Sequence, residues 1–140
     1  ADAAVGDDEA PRLGLRLDND MRTAARIFRL AAFNVFSHNR DDHSKNFSFL
    51  MDRQGEWSFS PAYDLTFSGG PGGEHCTTVM GEGHAPGEKH LLALGEKFSI
   101  KQRATILEEV QAAIGRWSEF ADEAGVSKSS KAVVQKALRA

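Results

Sequence analysis

The sequence has no long apolar run, a single cysteine and a near balance of charge, and each shortage removes a class of protein. No stretch approaches the roughly 18 to 20 apolar residues that cross a bilayer. The start, Ala1-Asp2-Ala3-Ala4-Val5-Gly6-Asp7-Asp8, lacks the basic and apolar regions of a secretory leader. The expectation is a protein that is neither membrane-embedded nor freshly secreted. Cys76 alone makes no internal disulfide, which excludes a disulfide scaffold and fits a reducing, cytoplasmic setting. Seventeen basic against twenty acidic residues give a net charge of −3, so bulk charge draws the chain to neither nucleic acid nor anionic lipid. No direct nucleic-acid contact is expected. What is present, 41% hydrophobic residues in a chain of 140, suffices for one packed core.

The first eighteen residues show little periodicity and read as a linker or cut end, poorly ordered, with the domain occupying 19–140. Asn19 or Asp20 caps a helix predicted from Met21 to Phe36, with Ala24, Phe28, Ala31 and Val35 in one stripe and Ile27, Leu30 and Asn34 beside it. Arg22, Arg26 and Arg29 fill only a narrow opposite face, so this helix is central and packed on several sides. Ten polar residues, Ser37 to Asn46, follow. Phe47–Met51 and Trp57–Ser60 read as the strands of a hairpin around Asp52-Arg53-Gln54-Gly55-Glu56. Beyond the glycine-rich loop Ser68–Gly73, a short strand is expected at Cys76–Met80 and a turn at Gly81-Glu82-Gly83. Helices follow at Gly87–Phe98, Lys101–Ala124 and about Lys128–Leu138, with Gly125 as a left-handed stop. The fold class is α+β, mostly helical, with one hairpin beside the polar loop.

Asp41 to Asp64 is the informative stretch. Phosphoryl transfer needs a carboxylate to orient and deprotonate the attacking hydroxyl, and oxygen ligands that hold Mg²⁺ on the phosphates. In protein kinases these come from a loop Asp, an amide five residues later, and an Asp beyond a hairpin. Asp41, Asn46 and Asp64 occur in that order and spacing. Asp and Asn are common in turns for other reasons, so the weight rests on the succession of helix, polar loop, hairpin and isolated acid rather than on any single part.

Arg40-Asp41-Asp42-His43-Ser44-Lys45-Asn46-Phe47-Ser48-Phe49-Leu50, then Gly55-Glu56-Trp57-Ser58-Phe59-Ser60-Pro61-Ala62-Tyr63-Asp64-Leu65, closely resembles the C-terminal part of HipA-like serine/threonine kinases, toxins of bacterial toxin–antitoxin pairs. The resemblance covers about residues 20–140. It implies a protein-kinase-like C-terminal lobe with Asp41 as catalytic base and Asn46 and Asp64 as ligands of Mg²⁺ on ATP. His43 matches a signature histidine that supports the loop, and Lys45 matches a lysine that approaches a phosphate or pairs with Asp42. The implied partners are a protein substrate, a component of translation in the family, and a helix-turn-helix antitoxin. The family's nucleotide-gripping lobe lies N-terminal to this region, and residues 1–20 hold no phosphate loop. The chain therefore reads as an excised or split C-terminal lobe with little or no activity alone. The alternative is a non-catalytic module that docks a partner chain or antitoxin.

Other features have plainer readings. His75, His84 and His90 fit no zinc spacing and read as surface loop histidines. A zinc site from His38, Asp41 and His43 leaves Asn46 and Asp64 without a role. A Ser44-His43-Asp42 triad is excluded because adjacent residues cannot aim three side chains at one another. Lys128, Lys131, Lys136 and Arg139 on the last helix read as a solvated face.

Overall fold

In the computed structural model residues 9–17 and 20–139 are described. The elements run α1 (Glu9–Leu17), α2 (Met21–Phe36), β1 (Phe49–Met51), β2 (Trp57–Phe59), α3 (Glu88–Lys97), α4 (Arg103–Gly115), α5 (Trp117–Glu123) and α6 (Lys128–Ala137), with short 3-10 turns at Ser44–Asn46 and Pro71–Gly73. The α+β, mostly helical expectation holds. No described helix is long and apolar enough to cross a membrane.

The linker expectation is corrected at residues 9–17, which form α1 and pack on α2 and β2. Pro11 and Gly14, both poor helix formers, hid this helix, and both are buried within it. Residues 1–8, and Asn19 as an alternative cap, lie outside the described residues. Asp20 is the observed cap: its carboxylate accepts the Arg22 backbone N–H at 2.8 Å and the Arg22 guanidinium at 2.7 Å, and these bonds hold it below the usual carboxylate range.

α2 ends where its sequence pattern ends, and it is apolar around most of its girth because it divides two cores. Phe28, Ala31, Ala32 and Val35 join Leu91, Leu94, Ile106, Leu107 and Val110 of α3 and α4. Ile27 and Leu30 face Phe59, with Ala10, Phe47 and Phe49 packed around them. Its arginines brace the neighbours: Arg29 pairs with Glu109 of α4 at 2.6 Å, and Arg26 lies 5.5 Å from the centre of the Phe59 ring.

The hairpin pairs antiparallel in the register Phe49↔Phe59, Leu50↔Ser58, Met51↔Trp57. Its turn is built by Asp52, whose side chain accepts the N–H groups of Gln54 and Glu56 at 2.8 and 3.0 Å. β1 starts two residues later than the pattern predicts. The Phe47 N–H is spent on the Ser44 carbonyl, closing the 3-10 turn rather than entering the ladder.

The expected strand at Cys76–Met80 does not form; isolated bridges take its place, Val79 pairing with Glu82 across a turn made by left-handed Met80 and Gly81. Here Thr77 is bonded to the side chain of Asp42, and Val79 is fully buried in the core under α2. The expected single helix Lys101–Ala124 is two helices. Gly115 weakens the interior, and Arg116 at φ −87°, ψ 11° ends α4 and caps α5, its guanidinium bound to Glu119 at 2.8 Å and lying over the Phe120 ring. Gly125 takes the left-handed conformation expected of it, at φ 67°.

Candidate active site

The polar loop is set by how α2 stops. The Asn39 N–H returns to the Asn34 carbonyl at 2.9 Å and the His38 N–H to Val35 at 3.3 Å, with His38 left-handed at φ 54°. This is a Schellman stop with histidine where glycine is usual. Burial, and then the charges of Arg40 and His75, push the His38 imidazole below its ordinary pKa, while a bond to the Ala137 carbonyl of α6 acts in the opposite direction.

From this stop three contacts gather the sequence-predicted residues. The buried Asn46 donates its side-chain N–H to the Asp41 carbonyl at 3.0 Å, spanning the five-residue interval. The Tyr63 hydroxyl donates to the Lys45 carbonyl at 2.5 Å, and the Asn39 amide reaches the Asp64 carbonyl at 3.5 Å. A parallel bridge, Asn39↔Ser68, continues the same seam. The segment carrying Asp64 therefore runs against the loop carrying Asp41 and Asn46. Asp41 and Asp64 are exposed, and Asp64 is left-handed at φ 54°, a conformation that Asp and Asn tolerate better than most residues.

The chemistry of this set suits a hard cation. With its nitrogen on Asp41, the Asn46 amide keeps its oxygen as the remaining acceptor, and Asp64 supplies carboxylate oxygens. Mg²⁺ is usually bound by one or two such groups together with phosphates and waters. Among the described residues no three His, Cys, Asp or Glu side chains cluster to make a zinc-type site, so the low-ranked zinc reading gains nothing. Asn39 Oδ1, Arg40 Nε and His43 Nδ1, all on this loop, are buried without a hydrogen-bond partner.

Two expectations fail in detail. Lys45 does not pair with Asp42: it is exposed, whereas the Asp42 side chain is 3% exposed and bound to His75 Nδ1 at 2.8 Å. His75 is accordingly not a surface histidine. His84 is, beside Glu74 at 3.5 Å, and His90 turns its ring back to accept the Gly87 N–H at the start of α3. His43 supports the loop through its carbonyl, which accepts the Asn46 N–H at 2.9 Å, its ring nitrogen Nδ1 having no partner. Sequence reasoning missed Asn39, Tyr63 and the Asp42–His75 pair, because each acts over a long separation along the chain. No local signal in the sequence marks these contacts.

Cys76 stands beside the site, its Sγ 4.0 Å from Asp41 Oδ1. Burial, then the charges of Asp42 and Asp41, raise the thiol pKa. Thiolate accordingly forms only at higher pH than in a free cysteine, so iodoacetamide labelling should have its pH midpoint above that of free cysteine. Asp41→Asn should move that midpoint down, as followed by mass spectrometry. Gly70 is equally exacting: at φ 66°, a Cβ there would strike the Glu74 carbonyl oxygen and approach Arg40 Cβ to 2.7 Å. Gly70→Ala should cost about 2 kcal/mol or more in urea unfolding, combining left-handed strain with a clash against backbone.

A family model, the HipA-like C-terminal domain, matches residues 11–135. The chain belongs to the HipA-like C-terminal domain family. That family is a kinase-related toxin family, and the match begins inside α1. No curated protein and no solved structure matches the chain.

Proposed function

We propose that this HipA-like domain is the catalytic lobe of a serine/threonine protein kinase that transfers the γ-phosphate of ATP to a protein hydroxyl. The observation that carries the reading is the seam of contacts drawing the Asp64 segment against the Asp41–Asn46 loop. Asp41 orients the substrate hydroxyl and accepts its proton. Asn46 and Asp64 hold Mg²⁺, which neutralises charge developing on the phosphates. Lys45, exposed at the loop's edge, approaches a phosphate as a flexible point charge. The lobe works with an N-terminal lobe that grips the nucleotide; the fold expected for the whole is kinase-like.

The hairpin presents an apolar face, with Leu50 and Met51 54% and 59% exposed and Trp57 39% exposed. Such a surface beside the loop suits coverage by another lobe. It equally suits the alternative, a non-catalytic module docking a partner such as a helix-turn-helix antitoxin. The experiment is transfer of ³²P from γ-labelled ATP by the two-lobe protein with Mg²⁺, using whole-cell protein as acceptor. Labelled phosphoserine or phosphothreonine is expected; no transfer under any metal would leave the docking module.

A further inference from the structure

The one buried acid of the loop takes no part in the chemistry proposed above, yet it makes three hydrogen bonds. Asp42 Oδ2 meets His75 Nδ1 at 2.8 Å, Oδ1 accepts the Thr77 N–H at 3.2 Å, and its carbonyl accepts the Thr77 hydroxyl. On the other flank of Asp41, the Arg40 carbonyl accepts the Cys76 N–H at 3.1 Å. Residues 75–77 thus grip the backbone on both sides of Asp41, whose own side chain is exposed. The gripping segment is itself fixed, because Val79 is fully buried in the main core and the His75 N–H is bonded to the Gly83 carbonyl.

We infer that the buried Asp42–His75 pair, with Thr77, is a positioning device that holds Asp41 at the angle its reaction requires. The inference rests on the kinase reading for what Asp41 does, and on geometry alone for how Asp41 is held. Neither Asp42 nor His75 lies exposed to a substrate, so the device should act on turnover and leave nucleotide binding alone. A displacement of about an ångström of a reacting group can cost roughly 100-fold in rate.

The test uses His75→Leu, which removes the ring donor; His75→Asn, whose amide N–H can occupy the place of Nδ1; and Thr77→Val, which removes only the hydroxyl donor and serves if the leucine variant does not fold. In the two-lobe protein, His75→Leu should lower kcat roughly 10- to 100-fold with KM for ATP within about twofold of the parent. Thr77→Val should fall between, and His75→Asn should recover most of the loss. A folded leucine variant with unchanged kcat, or an asparagine variant as poor as the leucine one, overturns the inference. So does a loss confined to KM. A second readout separates this from failure of the kinase reading: iodoacetamide labelling of Cys76 in the chain. If the parent transfers no phosphate, the kinase reading fails by itself. Faster labelling in His75→Leu and Thr77→Val, with His75→Asn near the parent, then still upholds the grip on the loop, and unchanged labelling overturns it.

Discussion

Asp64→Asn should reduce the proposed phosphoryl transfer, assayed in the two-lobe protein, at least ~100- to 1000-fold while leaving unfolding by urea unchanged. Both halves of that expectation follow from where Asp64 sits. Its side chain is exposed and no described hydrogen bond in the fold depends on it; the fold uses its carbonyl, which receives the Asn39 amide. Its left-handed backbone suits asparagine as well as aspartate. If Asp64 holds Mg²⁺ as proposed, the substitution removes one negative charge opposite the metal, and charge neutralisation by the metal supplies much of the rate in phosphoryl transfer. A steady-state assay across Mg²⁺ concentrations checks it. Recovery at high Mg²⁺ would locate the defect in metal affinity, and parental activity throughout would remove Asp64 from the ligand set.

Phe28→Ala should cost the chain about 3–5 kcal/mol, enough to unfold a marginally stable domain at ordinary temperature. Phe28 is fully buried in the larger core, and its ring stands 3.3 Å from where a Cβ on Gly95 of α3 would lie. Truncation opens a void walled by α2, α3 and α4 that a rigid helix crossing cannot close. The same helix ends in the stop that launches the polar loop from Ser37 to Asn46, so structure in the loop should be lost together with the core rather than separately. Urea unfolding followed at Trp57 and at Trp117 should give coincident transitions. A midpoint shift worth less than about 1 kcal/mol would mean the core relaxes around the missing ring.

Parts of this molecule were legible in the sequence and parts were not, for physical reasons that differ from element to element. α2 was readable to the residue because burial on several sides imposes its period on sixteen consecutive positions, Met21 to Phe36, and Asp20 supplies the cap. The hairpin was readable because Asp52 and Gly55 sit between alternating apolar strands. α1 is not legible because Pro11 and Gly14 read as helix breaks, although both are buried and Gly14 lies close against Thr23 and Ile27 of α2. The Cys76–Met80 strand was predicted from local propensity and lost to a tertiary contact, since the Thr77 N–H goes to Asp42 instead of a neighbouring strand. At the candidate site, the proposal of Asp41, Asn46 and Asp64 rests on order and spacing, which local sequence carries. The Asp42–His75 pair spans thirty-three residues and buries two polar side chains that composition places at the surface.

We propose that Asn46 and Asp64 share one Mg²⁺ on the nucleotide with Asp41 at its edge. A crystal structure of the two-lobe protein with Mg²⁺ and a non-hydrolysable ATP analogue tests it most directly. The account predicts a metal with Asn46 Oδ1 and an Asp64 carboxylate oxygen each at about 2.1 Å, and Asp41 facing the γ-phosphate across an open space for a hydroxyl. A nucleotide bound elsewhere, or a metal coordinated without Asp64, would contradict it.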